Sequence, residues 1–207
     1  MNEFVVKLIE EISQYYLRLV SDWKKESKGC RPYNLNKYQI RDVIYDLAFL
    51  TYLDDFHNYL TTRLQLTIPI MELAQIASCK VEVRVKLKAS IEDKIDRYNR
   101  GTLQGKMKVN KCLNDLAGFR IILNPQITRT QAATDFNAAC SIKYGSNLKI
   151  TDASKNGYVA THIYLKADNL SFPCEVQLWD ENDEDENIRM HSLYKEGYNN
   201  DVKKGSE

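Results

Sequence analysis

At Lys80 the spacing of apolar residues changes from three or four to two, which divides the chain into a helical part and a part that builds a sheet. Before it, Val5, Leu8, Ile9, Ile12, Tyr15, Tyr16 and Leu19 lie on one stripe of an amphipathic helix. The segment Lys28-Gly29-Cys30-Arg31-Pro32 interrupts that pattern. Asn36 with Gln39 three residues on reads as a capping box opening a second helix that runs to about Leu60. Pro69 suits the first turn of a third helix ending near Ala77.

Beyond Lys80, Val81, Val83, Val85 and Leu87 point to one side of a strand and Glu82, Arg84, Lys86 and Lys88 to the other. A helix is expected over Ser90–Asn99, a strand over Phe119–Leu123 and a helix over Gln131–Tyr144. Three strands follow, near Leu148, over Tyr158–Leu165 and over Cys174–Trp179, and a last helix over Glu184–Tyr198. The order β-α-β-α-β-β-β-α is that of an α/β (α+β) domain, a mixed sheet flanked by helices over residues 80–200, preceded by a helical extension over residues 1–79.

The 207 residues suffice for one sizeable core. Lys and Arg number 29 against 28 Asp and Glu, so no global charge draws the chain to a polyanion and any nucleotide site must be local. Five cysteines without a C-x-x-C pair argue against a zinc site or a disulfide framework and are expected to be reduced and mostly buried. Glu3, Lys7, Glu10, Glu11 and Arg18 break the first twenty residues before an apolar run reaches signal or membrane-span length. A cytoplasmic protein without a membrane partner is expected.

Local chemistry concentrates after Lys80. Arg84 and Lys86 share a strand face that leads into a helix beginning near Ser90, with Lys94 one turn on, an arrangement suited to phosphate oxygens at a helix N-terminus. A solvated strand edge with an ordinary N-cap has the same pattern. Asp115 precedes a strand that carries Gly118 and Arg120, and Glu175 and Gln177 share one face of an otherwise apolar strand. Asp115 and Glu175 together can hold a hard cation such as Mg²⁺, or each can be ion-paired with the cations nearby. Tyr158, Ala160 and His162 share a face, where the ring offers a stacking platform and the imidazole a phosphate or ribose contact.

Taken in order, R-x-K-x-x-x-S-x-x-x-K at Arg84–Lys94, D-x-x-G-x-R at Asp115–Arg120, N-G-Y-x-x-x-H at Asn156–His162, E-x-Q at Glu175–Gln177 and H-x-x-Y-K at His191–Lys195 closely resemble the synthetase domain of the RelA/SpoT family. The resemblance implies a nucleotidyltransferase-like fold and a magnesium-dependent transfer of pyrophosphate from ATP to a ribose 3′-hydroxyl. It implies that Arg84 and Arg120 flank the adenine while Lys86, Ser90 and Lys94 hold the phosphates of ATP. Asp115 would ligate Mg²⁺, and Glu175 would sit beside the metal and orient or deprotonate the attacking hydroxyl. Tyr158 and His162 would receive the acceptor base and phosphates, with Lys155, Asn156, Gln177, His191 and Lys195 lining the acceptor side.

One departure bears on the acceptor: after Gln177 the family usually continues with a basic residue and a threonine, whereas this chain has Leu178-Trp179-Asp180 and then an acidic run. Two acceptors follow from the resemblance. The first is GDP or GTP, giving ppGpp or pppGpp; the second is the 3′-terminal adenosine of tRNA, as in toxin-type relatives controlled by an antitoxin. A third reading is an inactive nucleotide-binding module, which the presence of both carboxylates disfavours. A tRNA acceptor would need a further basic surface, for which Lys24, Lys25, Lys28 and Arg31 are candidates.

Overall fold

The computed structural model describes residues 3–27, 32–190 and 192–193. Its first helix, α1 (Glu3–Glu26), buries Val5, Leu8, Ile9, Ile12, Tyr16, Leu19 and Trp23 along the stripe the spacing predicts. The expected second helix is divided into a short α2 (Ile40–Val43) and a longer α3 (Leu47–Arg63). The break has a local cause: Asp46 accepts the main-chain N–H groups of Ala48 and Phe49 and so starts a new helix. Asn36 does not open α2. Asp42 accepts the Gln39 N–H at 2.9 Å, which places the helix start three residues later. α4 (Ile68–Ile76) carries Pro69 in its first turn, as expected.

Five strands follow: β1 (Lys80–Val85), β2 (Ala117–Leu123), β3 (Leu148–Asp152), β4 (Thr161–Leu165) and β5 (Cys174–Asp180). They form one mixed sheet in the order β1-β2-β5-β4-β3, with β2 and β5 parallel and the other neighbours antiparallel. Helices α5 (Lys88–Arg100) and α6 (Val109–Cys112) lie between β1 and β2, and α7 (Arg129–Tyr144) follows β2. The chain is helical again at residues 184–190. The expected helix over Glu184–Tyr198 runs from there into residues outside those described.

The sheet has two unlike faces because side chains alternate along each strand. Val81, Val83 and Val85, Ala117, Phe119, Ile121 and Leu123, Ile163 and Leu165, and Cys174, Val176 and Leu178 point into one continuous core with α1, α3, α4 and α7. Tyr15 of α1 meets Phe119 edge-on, with ring centroids 6.3 Å apart, and Phe56 of α3 stacks on Phe172. The apolar face of the sheet is thus covered by the helices that precede Lys80 as well as by α7. The opposite face carries Glu82 and Arg84, Gly118 and Arg120, Glu175, Gln177 and Trp179, His162 and Tyr164, and Lys149 and Thr151. Here the chemistry gathers.

Cys112, Cys140 and Cys174 are buried and free, Cys79 is half-buried and free, and Cys30 lies outside the described residues. Among the described residues no helix is long and apolar enough to cross a membrane.

Candidate active site

Register brings the motif residues into two rows across the polar face. Arg84, Gly118, Glu175 and Tyr164 form one, and Glu82, Arg120, Gln177 and His162 the next. Gly118 has a definite task in the first row: a Cβ there would lie 3.1 Å from Arg84 Nε and 3.2 Å from its Cγ. The missing side chain lets Arg84 lie across β2 and reach Glu175 Oε2 with Nη2 at 3.4 Å.

Glu175 is the centre of the site. Its side chain is 6% exposed, and both oxygens are engaged. Oε1 accepts from the Tyr164 hydroxyl at 3.0 Å and lies 3.1 Å from His162 Nδ1. Oε2 accepts from Gln177 Nε2 at 2.7 Å as well as from Arg84. Burial alone would push the carboxyl up, but the His162 contact, the Arg84 charge and the Gln177 bond outweigh it and hold its pKa down at about 2. Burial, with the Glu175 charge beside it, drives the Tyr164 phenol well up, so Tyr164 stays protonated and donates.

Asp115 sits just before β2, where its two oxygens face different lysines. Lys86 Nζ bonds Oδ2 at 2.8 Å and Lys94 Nζ bonds Oδ1 at 3.0 Å, Lys94 also reaching Asn114 Oδ1 at 3.2 Å. Lys86 and Lys94 reach this carboxylate from separate elements, the end of β1 and the second turn of α5. α5 starts at Lys88 rather than Ser90, because Leu87 is the extended residue at its N-cap. Ser90 is therefore not the cap; it lies inside the first turn, one helical turn before Lys94 on the same side. Its N-cap residue Leu87 makes no side-chain cap bond, which leaves first-turn N–H groups without a partner from that side chain.

Both carboxylates are thus ion-paired, which the sequence left open, and this decides how a metal fits. Among the described residues no cluster of three or more His, Cys, Asp and Glu is placed to cage an ion. Asp115 has one partner per oxygen and keeps a lone pair on each, whereas Glu175 accepts up to four contacts and offers a ligand atom only by giving one up. The donor set fits a Mg²⁺ ion held through Asp115 and completed by water and phosphate oxygens, the usual mode for an ion that travels with a nucleotide.

On the β1 side, a shallow depression is lined by Glu82, Val83, Arg84, Phe119, Arg120 and Gln177. Both arginines of the motifs, Arg84 and Arg120, belong to this lining. Arg120 is held by Glu82 at 2.9 Å, by Gln177 Oε1 at 3.3 Å and by the Trp179 ring, whose centroid is 3.7 Å from its Cζ.

On the β4 side, Asn156 and Gly157 take positive φ of 51° and 88° in a tight turn closed by paired main-chain bonds between Lys155 and Tyr158. Consecutive positive φ values favour Asn-Gly, so these two residues of the motif have a structural reason to be there. Lys155 and Asn156 are exposed on the turn. Tyr158 follows it with only 8% of its surface exposed, packed with Ile122, Ala160 and Trp179. A base can stack on this ring only after local rearrangement. The Tyr158 hydroxyl lies 2.9 Å from His162 Nε2 and accepts from Trp179 Nε1 at 3.2 Å. Burial pushes the Tyr158 phenol up to about 12, against the pull of the Trp179 N–H.

Four residues to which the sequence reading gave no place in the site shape it. Tyr164 was within reach of the period-2 argument that found His162, since it is the next residue on that face. Trp179 follows Glu175 and Gln177 on theirs. Asn187 gave no signal: its buried amide accepts the Val159 N–H at 2.7 Å and donates to the Val159 carbonyl at 2.9 Å, fixing the segment beside Tyr158. His57 of α3 contacts the Lys86 carbonyl at 2.8 Å, a link from outside the motif region. His191 and Lys195 lie outside the described residues. Of the candidate basic surface, Lys24 pairs with Asp168 at 2.6 Å and Lys25 with Asp22 at 2.8 Å, while Lys28 and Arg31 also lie outside.

Comparison with known proteins places this face in context. The fold is similar to that of small alarmone synthetase 1 from Bacillus subtilis in two solved structures, at 18% sequence identity in both. In the first, 70% of this chain and 81% of that chain are covered at a TM-score of 0.43; in the second, bound to AMPCPP, the figures are 72%, 78% and 0.39. No curated protein matches. The model of a region found in RelA / SpoT proteins matches residues 83–199, which begin inside β1 and include Arg84, Asp115, Tyr158, His162 and Glu175. With more than half of its 207 residues matched in this way, the chain belongs to the RelA/SpoT family.

Proposed function

We propose that this protein is an ATP-dependent pyrophosphokinase that transfers the β,γ-pyrophosphate of ATP to the ribose 3′-hydroxyl of GDP or GTP. The observation that carries the reading is the buried, ionised Glu175 at the centre of the polar face, with the two arginines on one side and Tyr158 and His162 on the other. In the reaction the acceptor 3′-oxygen bonds to the β-phosphorus of ATP, the bond from that phosphorus to the bridging oxygen breaks, and AMP leaves. Such a transfer asks the protein mainly to align two reactants and to neutralise spreading charge.

Adenine would lie at the depression that Arg84 and Arg120 help to line, since their planar groups suit an aromatic ring. Lys86 and Lys94 share Asp115; a magnesium ion held by that carboxylate would leave both lysines to the ATP phosphates. The ion supplies charge neutralisation at the phosphates. Ser90 and the open terminus of α5 add donors beside them. By giving up its Tyr164 or Arg84 contact, Glu175 would accept the bond of the acceptor hydroxyl, orient it and take its proton as the new O–P bond forms, and Gln177 keeps the carboxylate turned toward the site.

A second acceptor, the 3′-terminal adenosine of tRNA, is favoured by one observation: after Gln177 the chain runs Leu178-Trp179-Asp180 into an acidic stretch where the family usually continues with a basic residue and a threonine, which leaves less positive charge for a nucleoside polyphosphate. The pairing of Lys24 and Lys25 with Asp168 and Asp22 weighs against it, because neither lysine is left uncompensated for RNA phosphates. The purified protein given γ-labelled ATP and GDP, GTP or bulk tRNA separately should label the guanine nucleotides. Label confined to tRNA would replace the guanine reading with the other, and an antitoxin would then be expected as a partner.

A further inference from the structure

We infer that Trp179 is a positioning residue that makes the donor and acceptor sides of this site depend on each other. The inference rests on the pyrophosphokinase reading above and goes beyond it.

The indole is fully buried and held on two sides. Its face carries the Arg120 guanidinium at 3.7 Å, on the side proposed for adenine. Its N–H donates to the Tyr158 hydroxyl at 3.2 Å, on the side proposed for the acceptor, and Tyr158 passes the contact to His162 Nε2 at 2.9 Å. A rigid two-ring side chain without free volume cannot follow a movement of Arg120 and leave Tyr158 undisturbed.

The link has a thermodynamic consequence. A nucleotide that moves Arg120 also moves the indole, and through it the ring and hydroxyl of Tyr158, which is the rearrangement a base needs before it can stack on that ring, so a second ligand meets a side already opened. Donor and acceptor then bind with positive coupling, and the coupling must be reciprocal. Trp179→Phe keeps an aromatic face under Arg120 and removes the N–H that holds Tyr158, which separates the coupling from the stacking.

The test is the dissociation constant of GDP, measured by calorimetry with and without saturating α,β-methylene ATP. In the natural protein the analogue should tighten GDP roughly fivefold or more. In Trp179→Phe that factor should fall to near one while the analogue alone binds about as before. Should Trp179→Phe fail to fold, Tyr158→Phe interrupts the same bond from its other end and should lose the coupling likewise. A natural protein that binds both ligands without coupling, or a Trp179→Phe protein that retains it, overturns the inference alone. A natural protein that binds neither ligand rejects the pyrophosphokinase reading itself, and this inference with it.

Discussion

Replacing Glu175 with Gln is expected to lower turnover about a hundredfold or more, the cost of losing one preorganised charged group at a reacting centre, while the protein remains folded. Gln matches the shape of Glu, so the apolar face beneath β5 is undisturbed. The amide cannot reproduce the carboxylate's contacts, since its NH₂ half meets donors on one side. It satisfies Arg84 and Gln177 with its oxygen and leaves Tyr164 to accept, at about 1–3 kcal/mol of stability. That is a fraction of the roughly 5–15 kcal/mol typical of a domain. AMP release at fixed magnesium, with a thermal melt alongside, separates chemistry from folding. Turnover close to that of the natural protein would remove Glu175 from the reaction.

A comparable loss is expected of Asp115→Asn, for a different reason, and the two variants can be told apart. Asp115 lies between the ammonium groups of Lys86 and Lys94, at 2.8 and 3.0 Å. Asn keeps one acceptor oxygen and turns an NH₂ group toward the other lysine, so the pair of cations loses its counter-charge and the proposed metal its protein ligand. Turnover should fall by about a hundredfold or more. Raising magnesium should recover part of the Asp115→Asn activity and none of the Glu175→Gln activity. Equal rescue of both would mean that Glu175 also binds the metal, and rescue of neither would take the metal away from Asp115.

What the sequence made legible follows from the range of the interactions involved. Strand faces were legible because alternation is local: Glu175 and Gln177 stand on one face wherever β5 lies in the sheet. Helix starts were less so. The break at Asp46 depends on a side chain turning back to Ala48 and Phe49, and the start of α5 depends on where β1 ends. The Lys86 N–H still bonds the Leu116 carbonyl just past β1, which leaves Leu87 extended and moves Ser90 inside the helix. Partners across strands were not legible at all, since the register that aligns Arg84, Gly118 and Glu175 is set by the packing of the whole sheet. The same limit hid Asn187, which acts on Val159 from a distant part of the chain. Tyr158 shows both sides of this: it lies beside His162 as expected, but outside the strand expected over Tyr158–Leu165, which begins at Thr161, and its burial against Trp179 depends on how the sheet is assembled.

The central claim is that two phosphoryl groups move together from ATP to a ribose hydroxyl. It is tested most directly by giving the protein ATP labelled at the β-phosphorus, with GDP and magnesium, and identifying every labelled and unlabelled product. Pyrophosphate transfer predicts that the β-label appears in the guanine nucleotide with an equal amount of unlabelled AMP, and that both vanish in Glu175→Gln. Labelled ADP as the by-product, with no β-label reaching GDP, would show that a single phosphoryl group moves and would contradict the account.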